Sequence, residues 1–148
     1  MRVYFAHPMT EYGTKLEARA IRAIEKRFKY SAERNSETLE VVNPSSDKIC
    51  GAATALYPIA GMGLFDLLAQ GCDATVAMPF PDGSYGAGVF SEISAAFRRG
   101  RPLCKIDPET LEISPLSFYE AHGLSVSETR ARIGGRFKEF LASRGIGK

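Results

Sequence analysis

ATVAMPFPDGSYGAGVFSEISAAFRRGRPLCKI, residues 74–106, runs from an apolar segment through a glycine-rich loop and a helical pattern into a second apolar segment. Residues 74–78 read as a buried strand, and Pro79 and Pro81 break it. Val89, Phe90, Ile93, Ala96 and Phe97 then recur at helical spacing up to Gly100, and residues 103–106 return to a strand pattern. The same alternation continues outward. Residues 3–6 form a short apolar run ended by Pro8, and Leu16, Ala20, Ile21, Ile24 and Phe28 mark an amphipathic helix over roughly 13–30. Residues 39–42 are strand-like and stop at Asn43-Pro44, and residues 64–69 read as a helix closed by Gly71.

Three segments complete the chain. Residues 49–60 are small and irregular and are expected to cross the top of the sheet. Residues 111–113 are expected to add a short edge strand. Ser125 and Glu128 form a capping-box pattern before a closing helix carrying Ile133, Phe137, Phe140 and Leu141, which Gly134-Gly135 weakens and kinks. Repeated strand–helix–strand order predicts an α/β fold: a Rossmann-like, flavodoxin-like order with a mainly parallel five-stranded sheet and helices on both faces. A length of 148 residues suits one domain spanning 1–148, with 108–148 as a C-terminal helical extension.

Composition narrows the partners. With 45% hydrophobic and 24% charged residues the chain reads as globular. A formal charge of +2 does not call for nucleic acid, and the cluster Arg98, Arg99, Arg101 reads as a solvated helix end. No apolar run approaches the ~20 residues of a membrane span, and the N-terminus lacks a signal-peptide pattern, so no membrane partner is expected. Cys50, Cys72 and Cys104 are odd in number and widely spaced, which points to a reducing cytoplasm. His7 and His122 are the only histidines, leaving little material for a zinc site or a histidine triad. No metal or cofactor is implied.

In open α/β sheets ligands bind beyond the carboxyl ends of the strands, where strand order reverses. His7-Pro8-Met9, Asn43-Pro44-Ser45 and residues 79–88 should converge there, with Glu92 at the start of the following helix. Glu92 is then either a solvated first-turn residue that complements the helix dipole or a nucleophile or base at the mouth of a site. The loop from Asp82 through Ser84, Gly86 and Gly88 offers backbone N–H groups to an anion. Asp66, in GLFDLLA, is costly among apolar neighbours unless paired or facing a polar site. Tyr4 lies within the first strand, the usual place of a core tyrosine.

These residues carry a family resemblance. RVYFAHPM resembles the opening strand of the nucleoside 2-deoxyribosyltransferase family, which includes nucleoside 5′-monophosphate N-glycosidases. FDLLAQGCDATVAM resembles its aspartate-containing helix and next strand, and GAGVFSEISAAFRRGRPLCKI its glycine loop, glutamate helix and following strand. The resemblance covers about residues 2–107. It implies Glu92 as nucleophile, Tyr4 as the tyrosine that hydrogen-bonds it, and Asp66 as the acid that serves the leaving base. Ser84, with Gly86 and Gly88, matches the loop that holds a 5′-phosphate, Asp82 is the alternative partner for a free 5′-hydroxyl, and His7 and Pro8 stand in the first loop. The chain departs from the pattern where Val89-Phe90-Ser91 lengthen the path from Gly88 to Glu92, and where Ala6-His7-Pro8-Met9 replaces a glycine-serine-arginine style loop.

The chemistry suits these residue types. Breaking an N-glycosidic bond builds oxocarbenium character at C1′ that a carboxylate can capture, and the departing base needs a proton. The expected function is cleavage of the N-glycosidic bond of a nucleoside or nucleoside 5′-monophosphate, with the sugar passing to water or to another base. The resemblance also implies a homo-oligomer, for which Phe118, Tyr119 and the final helix are the expected contacts. A non-catalytic nucleotide-binding sensor would use the same glycine loop but has no need of Tyr4, Asp66 and Glu92 together. A flavodoxin-like electron carrier is disfavoured by the absence of tryptophan and of a hydroxyl-rich first loop.

Overall fold

The computed structural model describes residues 1–61 and 63–143, with the backbone alone at 54, 57, 58, 60, 137, 138, 140 and 141. In chain order the elements are β1 (Arg2–Ala6), α1 (Lys15–Arg34), β2 (Glu40–Val42), α2 (Asp47–Ala60), α3 (Gly63–Gly71), β3 (Ala74–Ala77), α4 (Ala87–Arg98), β4 (Leu103–Ile106), β5 (Ile113–Pro115), α5 (Val126–Ile133) and α6 (Arg136–Ser143). The five strands form one sheet in the order β2-β1-β3-β4-β5. The first three pairings are parallel, and β5 runs antiparallel to β4, pairing Cys104 with Pro115 and Ile106 with Ile113. The sheet is therefore mixed at one edge. The short link from β4 to β5 allows only a hairpin-like return there, because a parallel neighbour needs a crossover of a dozen or more residues.

Alternation along β1 sends its side chains to two cores. Val3 and Phe5 pack with Ala20, Ile24 and Phe28 of α1 and with Val76, Met78 and Ile106. Tyr4 and Ala6 pack on the other side with Ala69 of α3 and Val89 and Ile93 of α4. Helix α1 forms because its buried residues recur every fourth position and Thr14 caps it, accepting from the Glu17 amide. Its buried Ile24 and Phe28 each contribute roughly 1.5–3 kcal/mol. The helix extends past the expected end to Arg34, and Ser36 then takes a left-handed φ of 57°.

Two expectations are corrected. Residues 47–60 are helical, because Ala52, Ala53 and Ala55 outweigh the breakers Gly51 and Pro58 in the sequence pattern. The closing segment is two helices, since Gly134 adopts a φ of 57° and separates α5 from α6. The capping box at Ser125 and Glu128 is formed in full. The expected apolar face of Phe137, Phe140 and Leu141 lies outside the described side chains. No disulfide joins Cys50, Cys72 and Cys104 among the described residues, and among them no helix is long and apolar enough to cross a membrane.

The C-terminal segment is bound back onto the β3–α4 loop. Tyr85 donates its amide to the His122 carbonyl, and Leu124 donates to the Tyr85 carbonyl, each at 2.8 Å. Leu124 and Ile133 bury Phe80 in a small core of their own. Gly123 sits where this segment presses on α4: a Cβ there would lie 2.4 Å from the Phe90 ring, itself stacked on Phe118. Gly123→Ala should therefore destabilise the protein by about 1–3 kcal/mol, read from the midpoint of urea unfolding. A midpoint equal to wild type would mean that this contact is not tight.

Candidate functional site

Glu92 is the sixth residue of α4, not a first-turn residue, and it is buried against the sheet. Tyr4 of β1 points to the same side and donates its hydroxyl to Glu92 Oε1 at 3.1 Å. Glu92 Oε2 is buried with no hydrogen-bond partner among the described residues. Burial pushes the Glu92 carboxyl up to about 8; the Tyr4 hydrogen bond works against that, and the charge of Asp66 adds to it. Burial and then Glu92 hold the Tyr4 phenol well above its ordinary value. The reading of Glu92 as a solvated first-turn residue that complements the helix dipole is therefore corrected. Desolvation dominates.

Two hollows meet at this carboxyl. One, about 70 Å3, is lined by His7, Pro8 and Tyr12 after β1, Gly86, Gly88 and Glu92 of the glycine loop and α4, and Thr129 and Ile133 of α5, among others. The other, about 130 Å3, is lined by Gly63, Phe65, Asp66, Gly88, Ser91 and Glu92. Asp66 is partly buried on α3, and its Oδ2 accepts from the Ser91 hydroxyl at 2.8 Å. Larger hollows of about 400 Å3 lie against β4 and β5 and beside β2 and α2. Neither is lined by Glu92, Tyr4 or Asp66. Glu92 lines both of the smaller spaces, and Asp66 lines one of them.

Of the residues singled out in sequence, Glu92, Tyr4, Asp66, His7, Pro8, Gly86 and Gly88 come together here. Ser84 and Asp82 line neither hollow. The Ser84 hydroxyl donates to Asp82 Oδ1 at 2.6 Å, and Arg132 of α5 pairs with Asp82 Oδ2. Arg132, then Ser84, hold the Asp82 carboxyl far below its usual range. The first amide of α4, expected to face an anion, is also engaged: Ala87 N–H donates to Thr129 Oγ1 at 2.8 Å.

His7 is locked. Its Nδ1 lies 2.9 Å from the Phe5 carbonyl, its Nε2 lies 2.7 Å from Glu17 Oε2, and its ring stacks on Phe5. A carbonyl only accepts, so Nδ1 is the nitrogen that donates to Phe5, and Nε2 faces Glu17. Burial raises the Glu17 carboxyl, but hydrogen bonds from His7, Ser45 and Asn43 outweigh it and leave it below its ordinary value. The Asn43 stretch thus reaches the site only from behind. Sequence reasoning missed Tyr12, Glu17, Ser91 and Thr129. The helix-capping pattern of Thr14 with Glu17 was a legible signal for one of them.

A carboxyl whose folded pKa is raised contributes stability that is complete below its ordinary value of 4.5 and is lost as pH rises through about 8. Glu92→Gln keeps an oxygen for Tyr4 and removes the titration. Between these pH values wild type should lose stability relative to the variant by up to about 1.4 kcal/mol per pH unit. Parallel stability curves for the two proteins would mean that Glu92 is not held protonated.

Compared with known proteins, the chain matches no protein-family model, no curated protein and no solved structure.

Proposed function

We propose that the chain resembles the nucleoside 2-deoxyribosyltransferase family in activity as well as in motif, and cleaves the N-glycosidic bond of a nucleoside or nucleoside 5′-monophosphate. The observation that carries this reading is the buried Tyr4–Glu92 hydrogen bond beside a second carboxyl, Asp66, across one hollow. Ionised Glu92 attacks C1′, the C1′–N bond breaks with its electron pair passing to the base, and Asp66 delivers the proton that the base needs. Water or a second base then attacks C1′ of the glycosyl ester and gives its proton to Asp66; the C1′–O bond to Glu92 breaks and restores the Glu92 carboxylate. The Rossmann-like reading of the sheet, a cytoplasmic setting and a homo-oligomer belong to this proposal. Exposed Tyr119, stacked edge-on against Phe97 and Phe118, suits a contact between copies.

The proton inventory supports the division of labour. In the free site one proton rests on Glu92, and the reaction requires it on the acid facing the base. Glu92 and Asp66 act as a pair that holds one proton in its reactive state. Loss of that proton near pH 8 removes the acid, so kcat/KM for a natural nucleoside or nucleotide should fall above about 8. A substrate with a nitrophenyl leaving group needs no proton, and its rate should keep rising through the same range. Identical profiles for the two substrates would remove Asp66 as the acid.

The direct test is incubation with a panel of nucleosides and 5′-monophosphates, with free base measured by chromatography. Wild type should release base, and Glu92→Gln should release less than a thousandth as much. Glu92→Gln activity within a few-fold of wild type excludes Glu92 as nucleophile. Tight binding without release selects a nucleotide sensor.

A further inference from the structure

Tyr4 serves one oxygen of Glu92 and leaves Oε2 buried without a hydrogen-bond partner among the described residues. That arrangement tolerates a protonated carboxyl. It does not suit the ionised one that the proposed reaction needs, because a buried carboxylate oxygen without a donor is costly. Among the described residues, the polar groups around Glu92 are few. Tyr4 comes from β1, His7 and Tyr12 from the loop after it, Asp66 from α3, and Thr129 from α5. His7 is tied to Phe5 and Glu17. Thr129 takes the Ala87 amide and donates to the Ser125 carbonyl. Asp66 is an acceptor already bound by Ser91.

Resting on the glycosidase reading of this cavity, we propose that Tyr12 is a second positioning residue for Glu92, its phenol donating to Oε2 as the carboxyl ionises. The loop places it for that role. A single turn over Met9–Glu11 brings the Tyr12 amide to the Met9 carbonyl at 3.1 Å. Its ring tilts against His7 with centroids 5.0 Å apart, and His7 in turn is stacked on Phe5 and held by Glu17. The buried His7–Glu17 pair therefore fixes the wall on which Tyr12 stands. Burial and then the nearby Glu92 charge keep the phenol well above its ordinary value, so it remains a donor across the working pH range. A hydroxyl proton turns freely about its C–O bond, so the phenol can redirect to Oε2 whatever it contacts in the ligand-free state. With donors on both oxygens the carboxylate is held in one orientation and made easier to ionise.

The test reads the carboxyl itself. Carboxyl-13C glutamate labelling, with Glu92 assigned by Glu92→Gln, gives the Glu92 titration in wild type, Tyr4→Phe and Tyr12→Phe. Tyr12→Phe should raise the midpoint by about one pH unit, as removing a donor to a charged group does. A midpoint within about 0.2 units of wild type, measured where Tyr4→Phe does shift it, overturns the proposal. Should Tyr12→Phe not fold, the coupling is read from the other side: the Tyr12 phenol must titrate lower in Glu92→Gln, and an unchanged phenol overturns it. Neither titration requires turnover. Absent base release with a shifted midpoint thus rejects the reaction and leaves the Tyr12–Glu92 coupling in place. Where base is released, Tyr12→Phe should lower kcat about tenfold near neutral pH on a substrate with a nitrophenyl leaving group, which needs no acid, with KM within about twofold and recovery above the raised midpoint. An equal loss at every pH with a raised KM makes Tyr12 a substrate contact and overturns the positioning role.

Discussion

Burial of one carboxyl group on the sheet face organises the site. Glu92 reaches its place because α4 starts at Gly86, packs Val89 and Ile93 onto Tyr4 and Ala77, and turns its sixth residue inward with them. A carboxyl in that position is tolerable when a donor meets it and a proton stays on it. Tyr4 supplies the donor from the middle of a fully buried stretch of β1. The remaining acidity is stored, because the group titrates near 8 instead of near 4.5. Any ligand that brings positive charge to this point draws the proton away. That is the electrostatic property expected of a nucleophile for an oxocarbenium-like centre.

The same constraint explains why the loop after β1 is so heavily tied down. His7, Glu17 and Asn43 form a buried chain of hydrogen bonds that holds the loop to the start of α1 and to the end of β2. Loops at the carboxyl ends of strands are usually the mobile parts of an α/β fold. Here the loop carries Tyr12 into the hollow that Glu92 lines, so displacement of the ring changes the surroundings of that carboxyl. A buried ionisable pair is a costly anchor unless its geometry is well satisfied. Both nitrogens of His7 and both oxygens of Glu17 have partners, which meets that condition.

The order of elements was legible wherever one period dominated. Residues 74–106 read correctly as strand, loop, helix and strand because each part has a single hydrophobic period and clear breakers at Pro79 and Gly100. Helix α2 was hidden, since alanines carry helix propensity without any amphipathic stripe. The antiparallel turn of β5 depends on a short connection, not on the pattern of the strand itself. In the site, Tyr4, Asp66 and Glu92 were found as residue types in order along the chain. Glu92's depth was not, because a helix start marks a position along the axis and not the face that packs inward. Thr129 and Arg132 escaped entirely, being brought to the loop by tertiary contact from 42 and 50 residues away.

That contact also walls one side of the hollow beside Glu92. At about 70 Å3 and about 130 Å3 the two hollows at Glu92 are each smaller than the roughly 300–1,000 Å3 of small-molecule sites, and Thr129 and Ile133 of α5 wall the first of them. Attachments of different kinds hold helix α5, among them Thr129 on the Ala87 amide, Arg132 on Asp82, and Ile133 on Phe80. The first two attach to the groups that a 5′-terminal phosphate would seek, a helix N-terminal amide and an arginine. Thr129 thus stands where a ligand oxygen would accept, and Arg132 is neutralised by Asp82 while the cover is closed. A phosphate arriving at Ala87 must displace Thr129, which loosens α5, and it meets Arg132 only if that side chain leaves Asp82. A free 5′-hydroxyl offers too little charge to compete for either group. For the proposed monophosphate substrate, opening and recognition would therefore share the same hydrogen bonds, and the strength of α5's hold on the loop would set how much of the 5′ interaction is spent on admission.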